Sequence, residues 1–146
     1  MRDSHGTYAL LPQLERETTL TVGRLGTLAF PAGYYVYVGS AFGCGGLIAR
    51  LARHQRQAKR FFWHIDYLLA QARVVRVVTD ISGQRLECAW ARAILEMPGV
   101  RVVASRFGAS DCSCLAHLLY LGEDDKALEK VSEATIWLSQ RMLTGW

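Results

Sequence analysis

No apolar run in the 146-residue chain is long and unbroken enough to cross a bilayer, so a membrane span is not expected. Met1-Arg2-Asp3-Ser4-His5 passes straight into a strand pattern without the apolar stretch of a secretory signal, and the expected compartment is the cytoplasm. Only four cysteines are present, and a chain of this length builds a core without staples. Thiols or metal ligands are therefore expected rather than a disulfide framework. Internal repeats, low-complexity segments and linkers are also missing, which argues against an array or a two-domain chain. The glycine-rich stretch from Gly39 to Gly46 matches neither a G-x-G-x-x-G fingerprint nor a phosphate loop ending in Lys-Ser/Thr, so no nucleotide cofactor is expected.

What is present is a chain 51% apolar with a formal charge of +4, suited to one compact domain with a real core. The positive charge is mainly arginine, concentrated between Arg50 and Arg60. Arginine offers a planar fork suited to phosphate oxygens, and nucleic acid is the natural partner of such a field.

Three β-rich runs open the chain: Gly6 to Leu11 closed by Pro12, Thr18 to Val22, and Thr27 to Phe30. With the strand that follows Gly33 they predict an antiparallel meander. The pattern then turns helical from Gly46 to Gln57, with Leu47, Ile48 and Leu51 as an apolar stripe flanked by Arg50 and His54. A mostly buried helix is expected within Phe61 to Leu69, and the strongest strand signal, Val74 to Thr79, is expected in the sheet centre. A helix over Gln84 to Glu96 follows, and Val100 to Val103 and Leu115 to Leu121 are candidate strands. Helical spacing fills Glu123 to Leu143.

The segment from Pro31 to His54 organises the rest. An aromatic, β-branched strand stops at a glycine-rich turn and feeds a helix that carries Arg50 and His54 one turn apart. Gly6-Thr7-Tyr8 on one strand and Tyr37-Val38-Gly39 on another, followed by Ser40-Ala41 and Arg50-Leu51-Ala52-Arg53-His54, resemble the GIY-YIG nuclease superfamily. The likeness is greatest to a small single-domain branch in which tracts like Trp63 to Leu68 and Phe107 to Cys114 recur. The resemblance implies an α+β fold, a small central, mainly antiparallel sheet flanked by helices. It covers roughly Gly6 to Leu121 and implies a nuclease domain over residues 1–122; the helical spacing of 123–146, outside the resemblance, is expected to form a C-terminal helical extension packed on the same domain. It further implies an endonuclease-type phosphodiester hydrolase that uses one Mg²⁺ or Mn²⁺ ion, with DNA favoured over RNA. By position, Tyr8 and Tyr37 match the motif tyrosines, Arg50 the helix arginine, His54 the histidine one turn on, and Glu87 the metal-binding glutamate. Thr7 and Val38 replace isoleucines, and the late asparagine of many relatives has no counterpart.

Chemistry weighs these residues independently. Cutting a phosphodiester needs a deprotonated nucleophile and cationic stabilisation of the phosphoryl oxygens, a task that suits Arg50. A phenol of ordinary pKa costs about 4 kcal/mol to ionise at neutral pH, so a tyrosine acting as base needs help, and the sequence does not choose between Tyr8 and Tyr37. Tyr35 shares the strand face of Tyr37. Glu87 lies on the inward face with Trp90, Ala91 and Ile94, where a carboxylate calls for a cation. Arg53, Arg56, Lys59 and Arg60 are expected to track phosphates. Cys112, Cys114 and His117 supply three soft ligands, with Cys88, Cys44 or His64 as a fourth, but the spacing is not a standard one. The preferred expectation is no zinc, with small buried thiols bracing the loop. Two rival functions stay open: a module that binds nucleic acid without cutting, and a zinc-braced interaction domain.

Overall fold

The computed structural model describes residues 5–43, 45–56, 61, 63–109 and 114–144, with side chains through residue 140. In chain order its elements are β1 (Gly6–Leu14), β2 (Thr18–Thr21), β3 (Thr27–Phe30), β4 (Gly33–Ala41), α1 (Gly46–Gln55), α2 (His64–Leu69), β5 (Arg73–Asp80), α3 (Glu87–Leu95), β6 (Leu118–Gly122) and α4 (Lys126–Thr144). The fold is α+β. Four antiparallel strands in the order β5-β1-β4-β6 form the main sheet, and β2 and β3 form a second, smaller one.

Strand alternation sorts the side chains into two cores. Tyr8, Leu10, Tyr35 and Tyr37 face one side, where Leu47 of α1 and Ile65 and Leu68 of α2 cover them. Ala9, Leu11, Val36 and Val38 face the other, against Trp90 and Ile94 of α3 and Val131 of α4. α4 is further tied to the sheet by Arg76, whose guanidinium reaches Glu129 at 2.9 Å and Ser132 at 3.1 Å.

Several expectations need correction. β1 does not stop at Pro12 but continues to Leu14, and its register against β5 slips between Leu11 and Pro12, where the proline has no N–H to offer the ladder. The meander is not formed, because β2 and β3 pair only with each other while Leu20, Leu28 and Phe30 pack on the first core. β5 is an edge strand rather than a central one; β1 and β4, bearing the two tyrosine motifs, hold the centre. Val100 to Val103 contributes only an isolated bridge, Arg101 to Tyr120, since Val102 and Val103 leave the ladder to pack on the cores. Ile48 is exposed rather than part of the stripe with Leu47. Among the described residues no helix is long and apolar enough to cross a membrane.

Candidate functional site

Tyr8 and Tyr37 project from the same face of the two central strands, with ring centroids 6.4 Å apart. Tyr8 stands opposite Gly39 in the β1–β4 register. A β-carbon at Gly39 would lie 2.5 Å from the Tyr8 ring and hydroxyl, so only glycine lets the phenol lie flat across β4. Gly108 plays the same part for Tyr37: its φ is +70° and a β-carbon there would meet the Tyr37 ring at 2.8 Å.

α1 presents Arg50 and His54 to this pair from one face, as their spacing of four dictates. His54 Nε2 lies 2.7 Å from the Tyr8 hydroxyl, and both groups are buried. Arg50 donates from Nη1 to the Ser40 carbonyl at 2.8 Å. The indole of Trp63 underlies two guanidiniums, with Arg50 at 4.4 Å and Arg53 at 4.2 Å from the ring. Arg53 is held in turn by two parallel 3.0 Å bonds to the Asp66 carboxylate, which also accepts the Trp63 N–H at 2.9 Å.

Glu87 arrives from the opposite layer as the first residue of α3. Thr7 positions it. The buried Thr7 hydroxyl accepts from Leu86 N–H at 3.0 Å and lies 3.3 Å from the Gln84 carbonyl to which it donates, which fixes the backbone immediately before the helix. Tyr8, Tyr37, Arg50, Trp63, Glu87 and His117 line one open cleft of about 320 Å³. Glu87 is its sole carboxylate among the described residues, and Arg85 stands at the same wall. A hard divalent cation fits this donor set: one anionic oxygen from the protein, with waters and phosphate oxygens completing the shell, is ordinary for Mg²⁺. A different trio, Cys88, Cys114 and His117, clusters beside the cleft and shares His117 with its lining.

The sequence matches the family model described as "Domain of unknown function DUF123" over residues 7–139. The chain belongs to the DUF123 family. The match begins at Thr7 of β1 and ends within α4, so it takes in every element that builds the cleft. No curated protein and no solved structure matches the chain.

In this DUF123 domain the phenols are held neutral. Burial pushes Tyr8 from 10.0 up to about 12, against the opposing pull of the Arg50 charge and its hydrogen bond, while the Glu87 and Asp66 carboxylates push the same way as burial. Tyr37 is raised further, by burial first and then by Tyr8. Burial likewise raises Tyr35, whose hydroxyl donates to the Pro31 carbonyl at 2.6 Å. For each of these three phenols the folded pKa exceeds the unfolded value of 10.0. The unfolded chain therefore loses protons first, and stability present below pH 10 is lost as the pH rises through about 12. Urea midpoints should hold between about pH 8 and about pH 9 and fall from about pH 10 upward, and a midpoint unchanged to about pH 11 would show that these phenols titrate normally.

All five residues assigned to catalysis from the sequence meet here: Tyr8, Tyr37, Arg50 and Glu87 on the cleft wall, and His54 bonded behind Tyr8. Of the four basic residues assigned to phosphate contact, two are described. Arg53 bonds Asp66, Arg56 is exposed at the end of α1, and Lys59 and Arg60 lie outside the described residues. Tyr35 shares the face but packs on Tyr120, with centroids 5.1 Å apart, as a core residue. Sequence reasoning missed Trp63, Arg85, His117 as a cleft residue, and the tether at Thr7. The local pattern of Thr7 could have signalled the last, because a hydroxyl in a fully buried strand must find a partner.

Proposed function

We propose that the DUF123 domain is a GIY-YIG-type nuclease that hydrolyses phosphodiester bonds of nucleic acid in the cytoplasm, with DNA favoured over RNA and with one Mg²⁺ or Mn²⁺ ion held by Glu87. The observation that carries this reading is the bonded pair Tyr8–His54 beside Arg50 and Glu87 in a single cleft. Binding alone would not call for a carboxylate facing the phosphates, and this argues for an enzyme over a silent module.

A phenol pushed up to about 12 is a poor free base, but it can relay. As the attacking water bonds to phosphorus and the bond to the leaving oxygen breaks, the water gives its proton to the Tyr8 oxygen. Tyr8 passes its own across the 2.7 Å bond to His54 Nε2, so no phenolate accumulates. The leaving oxygen takes a proton from solvent in the open cleft. His54 serves in the Nδ1–H tautomer, with Nε2 as acceptor. This assigns the relay to Tyr8 and leaves Tyr37, higher in pKa, as a neutral donor in the wall. Arg50 is oriented by Ser40 and Trp63, and its remaining N–H groups meet the charge that develops on the phosphoryl oxygens. When bound, the divalent ion supplies a lowered pKa for water and neutralises phosphate charge.

The test is a cleavage screen of the purified chain over structured DNA and RNA substrates with Mg²⁺ or Mn²⁺. Cleavage of at least one substrate is expected, with binding that weakens steeply as salt rises. Arg56→Ala should lower the salt slope by about one without changing substrate preference. If nothing is cut while salt-sensitive binding persists, the non-cutting module replaces this reading.

A further inference from the structure

We propose that Cys88, Cys114 and His117 form a zinc site that clamps the first turn of α3 to the segment entering β6. The three residues come from two separate parts of the chain, and no gap between their ligand atoms exceeds 4.8 Å. Cys88 Sγ is 3.8 Å from His117 Nε2. Zinc bond lengths of about 2.3 Å to sulfur and about 2.0 Å to nitrogen place tetrahedral neighbours roughly 3.6 Å apart, so one edge of the site is already formed. The widest gap closes with about 1 Å of side-chain movement.

The ligand set selects the metal. Two thiolates and an imidazole are soft donors that favour zinc over magnesium or calcium, whereas Glu87, the residue next to Cys88, is a hard oxygen donor facing the cleft. Two chemically distinct metal positions thus adjoin across one peptide bond.

The surrounding backbone holds the ligands in place before any ion arrives. The His117 N–H donates to the Phe107 carbonyl at 2.7 Å, and its carbonyl accepts from Val38 N–H at 2.9 Å. The Cys114 carbonyl accepts from Arg106 Nη1 at 2.6 Å, and the Cys114 side chain is buried. Cys88 is the second residue of α3, where the helix dipole favours an anionic ligand. The spacing of Cys112, Cys114 and His117 had weighed against zinc; among the described residues it is Cys88, 29 positions from His117, that joins the other two. Three protein ligands leave a fourth position for water. Zinc here fixes Glu87 through its neighbour, and fixes the cleft wall through His117.

The experiment does not depend on cleavage. Zinc content of the purified full chain is measured by elemental analysis, and the metal-free chain is titrated with Co²⁺. Expected are one zinc per chain and a cobalt spectrum with a thiolate charge-transfer band and the strong visible bands of tetrahedral geometry. Cys88 is half-buried, so Cys88→Ser should fold and should lose both signals. A weak octahedral cobalt spectrum without charge transfer in the wild type, or a Cys88→Ser chain that keeps a full equivalent of zinc, would overturn the site.

Discussion

A Glu87→Gln chain is expected to bind nucleic acid as tightly as the wild type, or more tightly, and to cut it at least about a hundredfold more slowly. Glutamine keeps the volume and hydrogen-bonding reach of glutamate and removes the charge. Glu87 is the sole described carboxylate on the cleft wall, so no neighbour takes over the attraction of a divalent cation. Binding persists because the same change removes a negative charge that repels phosphate. The fold should tolerate it, since a carboxylate in the first turn of α3 contributes only about 0.3–1 kcal/mol through the helix dipole. Circular dichroism of the variant separates loss of chemistry from loss of structure, and a folded Glu87→Gln that cuts at the wild-type rate would falsify the metal role.

Arg53→Met is expected to destabilise the fold by about 3–5 kcal/mol, a large part of the roughly 5–15 kcal/mol available to a domain. The Asp66 carboxylate is 0% exposed and the Arg53 side chain 20% exposed, so this pair is unlike a solvated surface bridge. Removing the guanidinium takes two charge-assisted bonds from a buried carboxylate, to which the Trp63 N–H still donates. Replacing both members, as Arg53→Met with Asp66→Leu, should recover much of the loss, because the cost lies in keeping the carboxylate buried without its guanidinium more than in the bond. Urea denaturation checks this through the shift in midpoint at constant slope. A loss under about 1 kcal/mol for Arg53→Met would mark the pair as a screened surface bridge. Arg53 also packs on Trp63, beneath Arg50, so its removal should dim activity mainly through the fold.

The central part of this architecture was legible because it is local. The strand of Tyr37, the turn after it and the helix of Arg50 and His54 are consecutive, and period-two and period-four spacing fix which side chains share a face. Glu87 was legible as a carboxylate on the inward face of its helix. Pairing partners were not, because alternation states which face a strand buries but not its neighbour: β5 has the most β-branched sequence and still lies at the edge. Arg53 was grouped with the basic run that follows Arg50, and its bond to Asp66 was not legible because that carboxylate enters from α2. Cys88 was weighed only as an optional fourth ligand, since spacing along the chain cannot show that α3 delivers it to Cys114 and His117.

The most direct test of the cleft as a cutting site is single-turnover cleavage of one substrate found by the screen. The wild type is measured after chelation of divalent metal, and again after Mg²⁺ is restored, beside Glu87→Gln under the same conditions. The account predicts that wild-type cleavage vanishes on chelation and returns with Mg²⁺, while Glu87→Gln stays slow throughout although it remains bound. Wild-type cleavage that survives chelation, or a Glu87→Gln rate that follows the wild type as metal is restored, would contradict it.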